Sequence, residues 1–148
     1  MKVKLAYGKE GRDLDLPERG VTLVEPEFMP GLPDLARSLG DAVANPIGTG
    51  RLREIAGAGD RVAVSICDST RAMPSGKVLP AILNELNHLP SGNIRILVAT
   101  GTHRPSTSEE LERILGGEIL RDYEVINHVC TDRDSLADLG ATGSGIPI

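Results

Sequence analysis

The sequence predicts an α/β domain: a mostly parallel, Rossmann-like central sheet with flanking helices, preceded by an antiparallel hairpin at the N-terminus. From Arg61 onwards, apolar runs of strand length alternate with segments of helical periodicity, the pattern of parallel strands joined by crossover helices. The runs RVAVSIC and NIRILVAT are apolar without strict alternation, as expected of strands buried on both faces. At 148 residues, the chain has the length of one domain with a substantial core.

The N-terminal third predicts a hairpin, a further strand and two helices. Residues 1–8 alternate apolar and polar side chains, and DLDLP alternates again after a turn at residues 9–12, so these segments form a hairpin. VTLVEP, residues 21–26, is a third candidate strand. Residues 32–46 have apolar side chains near helical spacing, and TGRLREIAG is a short helix closed by Gly57.

The remaining chain predicts three strands and two helices in alternation. Residues 61–67, 93–100 and 122–129 are the strands. The first helix contains Pro80, which we expect in its first turn or at a kink, because proline clashes in a helix interior. Ser106 precedes Glu109 by three residues, the spacing of a capping box that starts the second helix. The predicted apolar helix faces are Val78, Leu79, Ile82, Leu83, Leu86 and Leu89, then Leu111, Ile114 and Leu115.

The composition limits the classes of partner. The net charge is −5 and aromatic residues make up only 2% of the chain, so the basic surface and stacking rings typical of nucleic-acid binding are missing. No apolar run approaches the roughly 18 residues of a membrane span, and the N-terminus has no signal-peptide pattern. Cys67 and Cys130 are too few for a disulfide framework, which favours reduced thiols in a cytoplasmic protein.

Two polar loops follow the first two strands of the predicted sheet. Asp68, Ser69, Thr70 and Arg71 form the first loop, and His103 lies in the second. Ligands of open α/β sheets bind beyond the carboxyl ends of the strands, and consecutive strands are often neighbours, so we expect both loops at one crevice. Hydroxyls, free N–H groups and a guanidinium suit an anion, while Asp68 can accept from a sugar hydroxyl or hold Arg71. The alternatives are a turn that satisfies its own backbone and a merely solvated His103.

Other candidate sites are weaker. Four side chains are of the kinds that bind zinc, but their spacing matches no recognised ligand pattern. Cys67 is expected to be a small buried residue rather than a nucleophile, which needs a partnered base and an electropositive pocket. His88 lies at the predicted end of a helix, which we expect it to cap. The four zinc-type side chains are Cys67, His103, His128 and Cys130.

Taken together, the two loops resemble the N-terminal domain of the nickel-dependent lactate racemase family. That family has the pattern Asp-x-Thr-Arg-x-x-Pro after one strand and Thr-Gly-x-His-Arg after a later one. The sequence matches the first pattern as DSTRAMP, residues 68–74, and the second as TGTHR, residues 100–104. The later stretches INHV and LGATGSGIPI are also similar to the family, so the resemblance covers the whole chain.

The resemblance implies a particular chemistry. Enzymes of this family carry a nickel-pincer nucleotide, which takes a hydride from the α-carbon of a 2-hydroxy acid while a histidine removes the hydroxyl proton. Hydride returned to the other face of the planar 2-keto acid inverts the centre. By motif, His103 is one acid/base histidine, and Asp68, Ser69, Thr70 and Arg71 match the cofactor-binding loop that holds the mononucleotide, through its phosphate.

The resemblance also implies that other catalytic parts lie outside these residues. Family members are more than twice as long, and their anchor lysine, nickel-ligating histidine and second acid/base histidine follow the matched region. This chain has no lysine after Lys77. We therefore expect residues 1–148 to be a single α/β domain, resembling the N-terminal half of a two-domain racemase, without metal ligands and inactive alone. Its expected partners are the C-terminal domain and a small 2-hydroxyacid substrate, not nucleic acid or a membrane.

Three functions remain open on the sequence. The chain is part of a nickel-pincer-dependent 2-hydroxyacid racemase or epimerase, part of a related enzyme with another substrate, or a stand-alone nucleotide- or anion-binding module without catalysis. A lysine and two histidines beyond residue 148 would favour the first two functions. The end of the chain within a strand-like stretch favours a piece of a longer protein.

Overall fold

The chain forms two compact units, Met1–Leu32 and Pro33–Ile148. The structure is a computed structural model and describes residues 1–146 and 148. The predicted fold class is confirmed, because the second unit contains a parallel sheet with flanking helices and the first contains an antiparallel hairpin. No helix among the described residues is long and apolar enough to cross a membrane.

The first unit is built on the predicted hairpin. β1 (Lys2–Leu5) pairs antiparallel with β2 (Arg12–Asp15). Gly11 precedes β2 with a φ of +75°, a conformation that favours glycine. The predicted strand at residues 21–26 is wrong: these residues pair with no other strand, and the side chain of Val24 is 88% exposed. An extended segment with no neighbouring strand has no ladder of hydrogen bonds to hold it.

The sheet of the second unit has the strand order β3–β4–β5, and all three strands are parallel. β3 spans Val62–Cys67, β4 spans Ile94–Ala99 and β5 spans Glu124–Asn127. The register pairs Cys67 with Ala99, so β3 and β4 end side by side. The two polar loops therefore start next to each other at one edge of the sheet, as predicted.

Five α-helices lie within the described residues, all in the second unit. α1 begins after Asp34, whose carboxylate accepts the N–H of Arg37 at 2.9 Å. Two short 3₁₀ turns also occur, Ser91–Asn93 between α3 and β4 and Arg133–Ser135 after β5. The helices are α1 (Leu35–Ala44), α2 (Leu52–Ile55), α3 (Ser75–Glu85), α4 (Ser108–Leu115) and α5 (Gly117–Asp122).

The core of the second unit is aliphatic. Side chains of β3, β4 and α3 meet those of α4, α5 and the turns after α3. None of the three aromatic residues of the chain is among the buried side chains, so branched aliphatic residues supply the packing. The innermost side chains are Leu79, Leu86, Ile94, Ile96 and Val98.

Helix α3 excludes one of the two positions predicted for Pro80, and it ends earlier than predicted. Pro80 is the sixth residue of the helix and so lies beyond the first turn. Because proline has no N–H, the carbonyl of Gly76 has no donor four residues later. The helix ends at Glu85, and Leu86 and Leu89 of the predicted apolar face lie in the turns that follow, where they are still buried.

The capping box of helix α4 lies one residue later in the chain than predicted. The hydroxyl of Thr107 accepts the N–H of Glu110 at 3.3 Å, and the Glu110 carboxylate accepts the N–H of Thr107 at 2.9 Å. The box therefore pairs Thr107 with Glu110, and the prediction of Ser106 with Glu109 is wrong by one residue. Ser106 is instead buried, because its backbone is held by Asn127.

His88 caps a neighbouring helix rather than its own. Its Nε2 lies 2.7 Å from the carbonyl oxygen of Ala56, the C-cap residue that directly follows α2. Because a carbonyl oxygen only accepts hydrogen bonds, Nε2 must carry the hydrogen. The prediction that His88 caps a helix is confirmed, but the helix is α2 and not the one that precedes His88 in the chain.

Candidate functional site

The loop after β3 is organised by the carboxylate of Asp68. Asp68 is 7% exposed, and its Oδ1 accepts the N–H of Thr70 at 3.1 Å and the hydroxyl of Thr70 at 2.6 Å. The N–H of Arg71 donates to the carbonyl oxygen of Asp68 at 3.3 Å. The alternative of a turn that satisfies its own backbone is therefore confirmed for Asp68 and Thr70.

The second carboxylate oxygen of Asp68 holds the histidine of the neighbouring loop. Asp68 Oδ2 lies 2.6 Å from His103 Nδ1. The bond from Thr70, followed by the bond from His103, lowers the pKa of Asp68 to about 2, so the carboxylate is ionised at neutral pH. An ionised carboxylate can only accept, which assigns a hydrogen to Nδ1, so that in the neutral imidazole the lone pair lies on Nε2. Half of the His103 side chain is exposed, which leaves room for a ligand beside it.

The residue that directly follows β5 holds the start of the loop that carries His103. Thr100 is 2% exposed, and its hydroxyl donates to the carbonyl oxygen of His128 at 2.5 Å. Gly101 has a φ of +58°, and the N–H of His103 donates to the carbonyl oxygen of Thr100 at 3.0 Å to close a turn. Because a positive φ favours glycine, this geometry accounts for the Thr-Gly order at the start of the loop.

Asn127 holds the far end of the same loop. Its Oδ1 accepts the N–H of Ser106 at 2.9 Å, and its Nδ2 donates to the carbonyl oxygen of Ser106 at 3.1 Å. The amide of Asn127 thus bonds both backbone groups of Ser106, as the backbone of a neighbouring strand would. Asn127 is not among the residues predicted from the sequence, although an amide side chain at the end of an apolar strand is a signal for such a role.

Arg104 is engaged by helix α4. Its guanidinium donates two hydrogen bonds of 2.8 Å to the Glu110 carboxylate and one of 3.0 Å to the Pro105 carbonyl oxygen. The bonds from Arg104, followed by that from Thr107, lower the pKa of Glu110 to about 2, and Glu110 raises the pKa of Arg104. This bidentate, charge-assisted ion pair therefore attaches the loop of Arg104 to α4.

Two grooves flank the loop after β3. The cationic groove has a volume of ≈ 310 Å³ and lies beside the N-terminus of α3 and the end of α4. The histidine groove has a volume of ≈ 290 Å³ and lies on the side of His103. Asp68 and Ser69 line both grooves. The cationic groove is also lined by Arg71, Ser75, Gly76, Lys77 and Arg113, and the histidine groove by Thr70, His103, Arg104, Ser106 and Glu110.

The structure brings the predicted site residues to one edge of the sheet and divides them between the two grooves. Asp68, Ser69, Thr70 and His103 line the histidine groove, whereas Arg71 lines the cationic groove. The interpretation that the Asp68 carboxylate holds Arg71 is wrong, because both carboxylate oxygens are taken by Thr70 and His103.

The cysteines play no part in this geometry. Cys67 is exposed, contrary to the prediction that it is buried, since its side chain alternates away from the buried Ile66 along β3. Cys130 is half-buried, and neither forms a disulfide within the described residues. Residues 1–146 and 148 contain no group of three or more His, Cys, Asp and Glu side chains that could hold a metal ion.

Fold and site together define a class of protein: a Rossmann-like domain with a polar loop and a carboxylate-bound histidine at one edge of its sheet. The chain belongs to the lactate racemase N-terminal domain family, whose sequence model matches residues 7–148. The resemblance of the two polar loops to this family is thereby confirmed.

Individual relatives agree with the family assignment. A lactate racemase of Lactiplantibacillus plantarum is 42% identical over 102 residues, which are 68% of this chain and 24% of the relative. A lactate racemase of Thermoanaerobacterium thermosaccharolyticum is 29% identical over an alignment of 148 positions, which covers 97% of this chain and 34% of the relative. The chain thus spans a quarter to a third of the length of these curated relatives.

A solved structure shares the fold over nearly the whole chain. The lactate racemase apoprotein of Thermoanaerobacterium thermosaccharolyticum superposes with a TM-score of 0.84 at 28% identity, over 99% of this chain and 34% of that one. A crystal structure from Thermotoga maritima matches with a TM-score of 0.54 at 25% identity, over 73% of this chain and 24% of that one. The fold of this chain is therefore that of the lactate racemase apoprotein.

Proposed function

We propose that this chain is the N-terminal part of a two-domain, lactate-type 2-hydroxyacid racemase or epimerase, in which it supplies the cofactor loop and one acid/base histidine. The observation that carries the proposal is the contact of Asp68 Oδ2 with His103 Nδ1 at 2.6 Å. This contact leaves Nε2 as a base at the histidine groove, as proton removal from a substrate hydroxyl requires. The family membership supports the substrate class.

The residues at the site fit the nickel-pincer nucleotide that the family resemblance implies. A mononucleotide carries a phosphate, and the cationic groove is lined by Arg71, Lys77 and Arg113. When bound, this group supplies the acceptor for the hydride of the substrate's α-carbon. Asp68, Ser69, Thr70 and Arg71 are the residues of this chain that we assign to the loop holding it. The chain has no lysine after Lys77, so we assign the covalent anchor and the nickel ligand to the C-terminal domain.

The acid/base work of this chain centres on His103. With its Nδ1 hydrogen donated to Asp68, the imidazole presents Nε2 to the hydroxyl of a small 2-hydroxyacid and takes up its proton. Asp68 stabilises the imidazolium that results and fixes the plane of the ring, as carboxylates do for catalytic histidines. Inversion needs a second proton carrier on the opposite face of the substrate, which we assign to the C-terminal domain.

We assign the protein to the cytoplasm on the state of its cysteines. Cys67 and Cys130 are free thiols, and reduced cysteines are typical of cytoplasmic proteins. The proposed partners of the chain are its own C-terminal domain and a small 2-hydroxyacid.

A chimera tests the proposal. In it, this chain replaces the matching third of the Thermoanaerobacterium thermosaccharolyticum lactate racemase, and the protein is loaded with cofactor. We expect the chimera to interconvert L- and D-lactate, and the 148-residue chain alone, given the same cofactor, to show no racemisation. A chimera that contains as much nickel as the parent enzyme but does not racemise lactate would contradict the proposal and favour a binding module without catalysis.

A further inference from the structure

We propose that Asn127 is a positioning residue of the racemase reaction, which holds His103 at the substrate through the backbone of Ser106. Asn127 does not line the histidine groove, whereas Ser106 and His103 do, so the amide acts through the loop and not on the substrate. The inference rests on the proposed function, because it takes His103 as the acid/base residue. The histidine loop is residues 100–106, which lie between the end of β4 and the N-cap of α4.

The histidine loop is attached to the sheet at both of its ends. At its start, the hydroxyl of Thr100 donates to the carbonyl oxygen of His128. At its far end, the amide of Asn127 accepts the N–H of Ser106 at 2.9 Å and donates to the carbonyl oxygen of Ser106 at 3.1 Å. In the part of the chain that the structure describes, Asn127 is the one side chain outside the loop that bonds to the loop's backbone. Because His103 lies between the two attachments, the far one limits where its backbone can lie.

The other contacts of the histidine loop do not replace the attachment by Asn127. The ion pair of Arg104 with Glu110 joins the loop to α4, the helix that directly follows it, and not to the sheet. The contact of His103 with Asp68 orients the imidazole from the loop after β3, and half of the His103 side chain stays exposed. The amide of Asn127 is therefore the side chain that fixes the far end of the loop to the sheet.

Strand β5 gives Asn127 a fixed place. Asn127 is the last residue of the strand, and it pairs with the fully buried Val98 of β4. The N–H of the next residue, His128, donates to the carbonyl oxygen of Val98 at 3.1 Å. Asn127 is half-buried and Ser106 is buried, so a backbone group of Ser106 that lost its partner would be costly to leave unpaired.

The attachment needs a donor and an acceptor on one short side chain. The oxygen of a primary amide accepts and its nitrogen donates, which matches the N–H and the carbonyl oxygen of Ser106. An ionised aspartate has the same shape but cannot donate, and its charge would face the Ser106 carbonyl oxygen. Asn127→Ala removes both bonds. Asn127→Asp removes the donor without leaving a cavity, so a common effect of the two substitutions is due to the lost attachment.

Loss of the attachment should lower kcat and leave KM unchanged. The contact of Asp68 with His103 does not involve Asn127, so Nδ1 keeps its hydrogen and Nε2 stays a base. What is lost is the placement of this base at the substrate hydroxyl, and a misplacement of about 1 Å can lower a rate about 10²-fold. Asn127 lines neither groove, so we expect the nickel content to stay the same.

The test measures kcat and KM for lactate, together with nickel content, in chimeras that carry Asn127→Ala or Asn127→Asp. We expect kcat to fall about 10-fold or more in both, with KM and nickel changed less than about twofold. Asn93→Ala is the matched control, because its amide also donates to a backbone carbonyl, that of Asp60 at 3.2 Å. Asn93 directly precedes β4, at the end of the strand away from the histidine loop. This control should lose a similar amount of stability to urea and keep its kcat.

A second measurement needs no activity. NMR relaxation of the isotope-labelled 148-residue chain reports the fast motion of the His103 backbone amide as an order parameter. We expect Asn127→Ala to lower this order parameter and Asn93→Ala to leave it as in the unchanged chain. The long-range nitrogen spectrum of His103 should show the hydrogen on Nδ1 in both variants.

The outcomes separate this inference from the proposed function. A normal kcat for Asn127→Ala, a rise of KM alone, or an equal fall of kcat in Asn93→Ala would overturn the positioning role. An unchanged order parameter at His103 would overturn it whether or not the chimera is active. A chimera with the unchanged chain that does not racemise lactate contradicts the proposed function, and the order parameter then still decides whether Asn127 holds His103.

Discussion

Asp68 Oδ2 lies 2.6 Å from His103 Nδ1, and the two residues are joined across neighbouring parallel strands that end in register. The same carboxylate accepts two bonds from Thr70 through its other oxygen. One buried aspartate therefore sets both the shape of the loop after β3 and the tautomer of the histidine after β4.

Replacement of Asp68 by asparagine should change the tautomer of His103. An asparagine amide can donate to Nδ1, in which case the ring hydrogen moves to Nε2 and the base is lost. We expect turnover of the chimera to fall by about 10²–10⁴-fold, and the long-range nitrogen NMR spectrum of the neutral imidazole to show the hydrogen on Nε2. Thr70→Val removes a donor to Asp68 but not the contact with His103, so its tautomer should be unchanged. The same spectrum for Asp68→Asn as for the unchanged chain would refute the positioning role.

The ion pair of Arg104 and Glu110 predicts a specific dependence of stability on pH. The pKa of Glu110 in the folded chain is about 2, below its ordinary value of 4.5, so the ionised form is favoured by folding. Its contribution to the free energy of unfolding is fully present above pH 4.5 and is lost as the pH falls towards 2.

Glu110→Gln should therefore flatten the fall of stability in this window. The measurement is the free energy of unfolding by urea at several pH values from 5 to 2.5, roughly the range over which the carboxylate takes up its proton. Glu112→Gln removes a carboxylate from the same helix that forms no ion pair within the described chain, and its curve should keep the original slope. Parallel curves for all three proteins would show that the pair does not stabilise the fold.

Gly76→Ala should destabilise the chain, although alanine normally favours a helix. The new Cβ would meet the carbonyl oxygen of Ile114 at 2.8 Å, and relief of such overpacking typically costs about 1–3 kcal/mol. Gly40→Ala is the matched control, because Gly40 lies within α1 with no atom near its Cβ position. That change should stabilise the chain by about 0.5–1 kcal/mol. Urea unfolding measures both, and a gain in stability for Gly76→Ala would rule out the close approach of α3 and α4.

The sequence predicted the sheet and the two loops because their signals are local. Continuous apolar runs gave β3 and β4, and the polar residues that end them were sufficient to place Asp68 and His103 at one edge. The contact between these two side chains depends on the register of β3 with β4, which no local pattern specifies.

The remaining differences arise from partners that are distant in the chain. Asn127 at the end of β5 and the carbonyl oxygen of His128 just after it hold the loop of His103, although they lie more than twenty residues away in the chain. The predicted strand at residues 21–26 fails for the opposite reason, because a strand forms only where it pairs with another strand and these residues pair with none.

The rate and nickel content of the His103→Ala chimera, measured on the same preparation, test the account most directly. Positioned acid/base groups typically contribute about 10²–10⁴-fold, and in this account His103 holds protons and not the metal. We therefore predict that racemisation of lactate falls by at least about 10²-fold in both directions while the nickel content is unchanged. His128→Asn alters a nearby histidine whose backbone alone serves the site and should retain full activity and nickel. Near-normal activity of His103→Ala, or a loss of nickel in proportion to activity, would contradict the assignment of His103 as the acid/base residue.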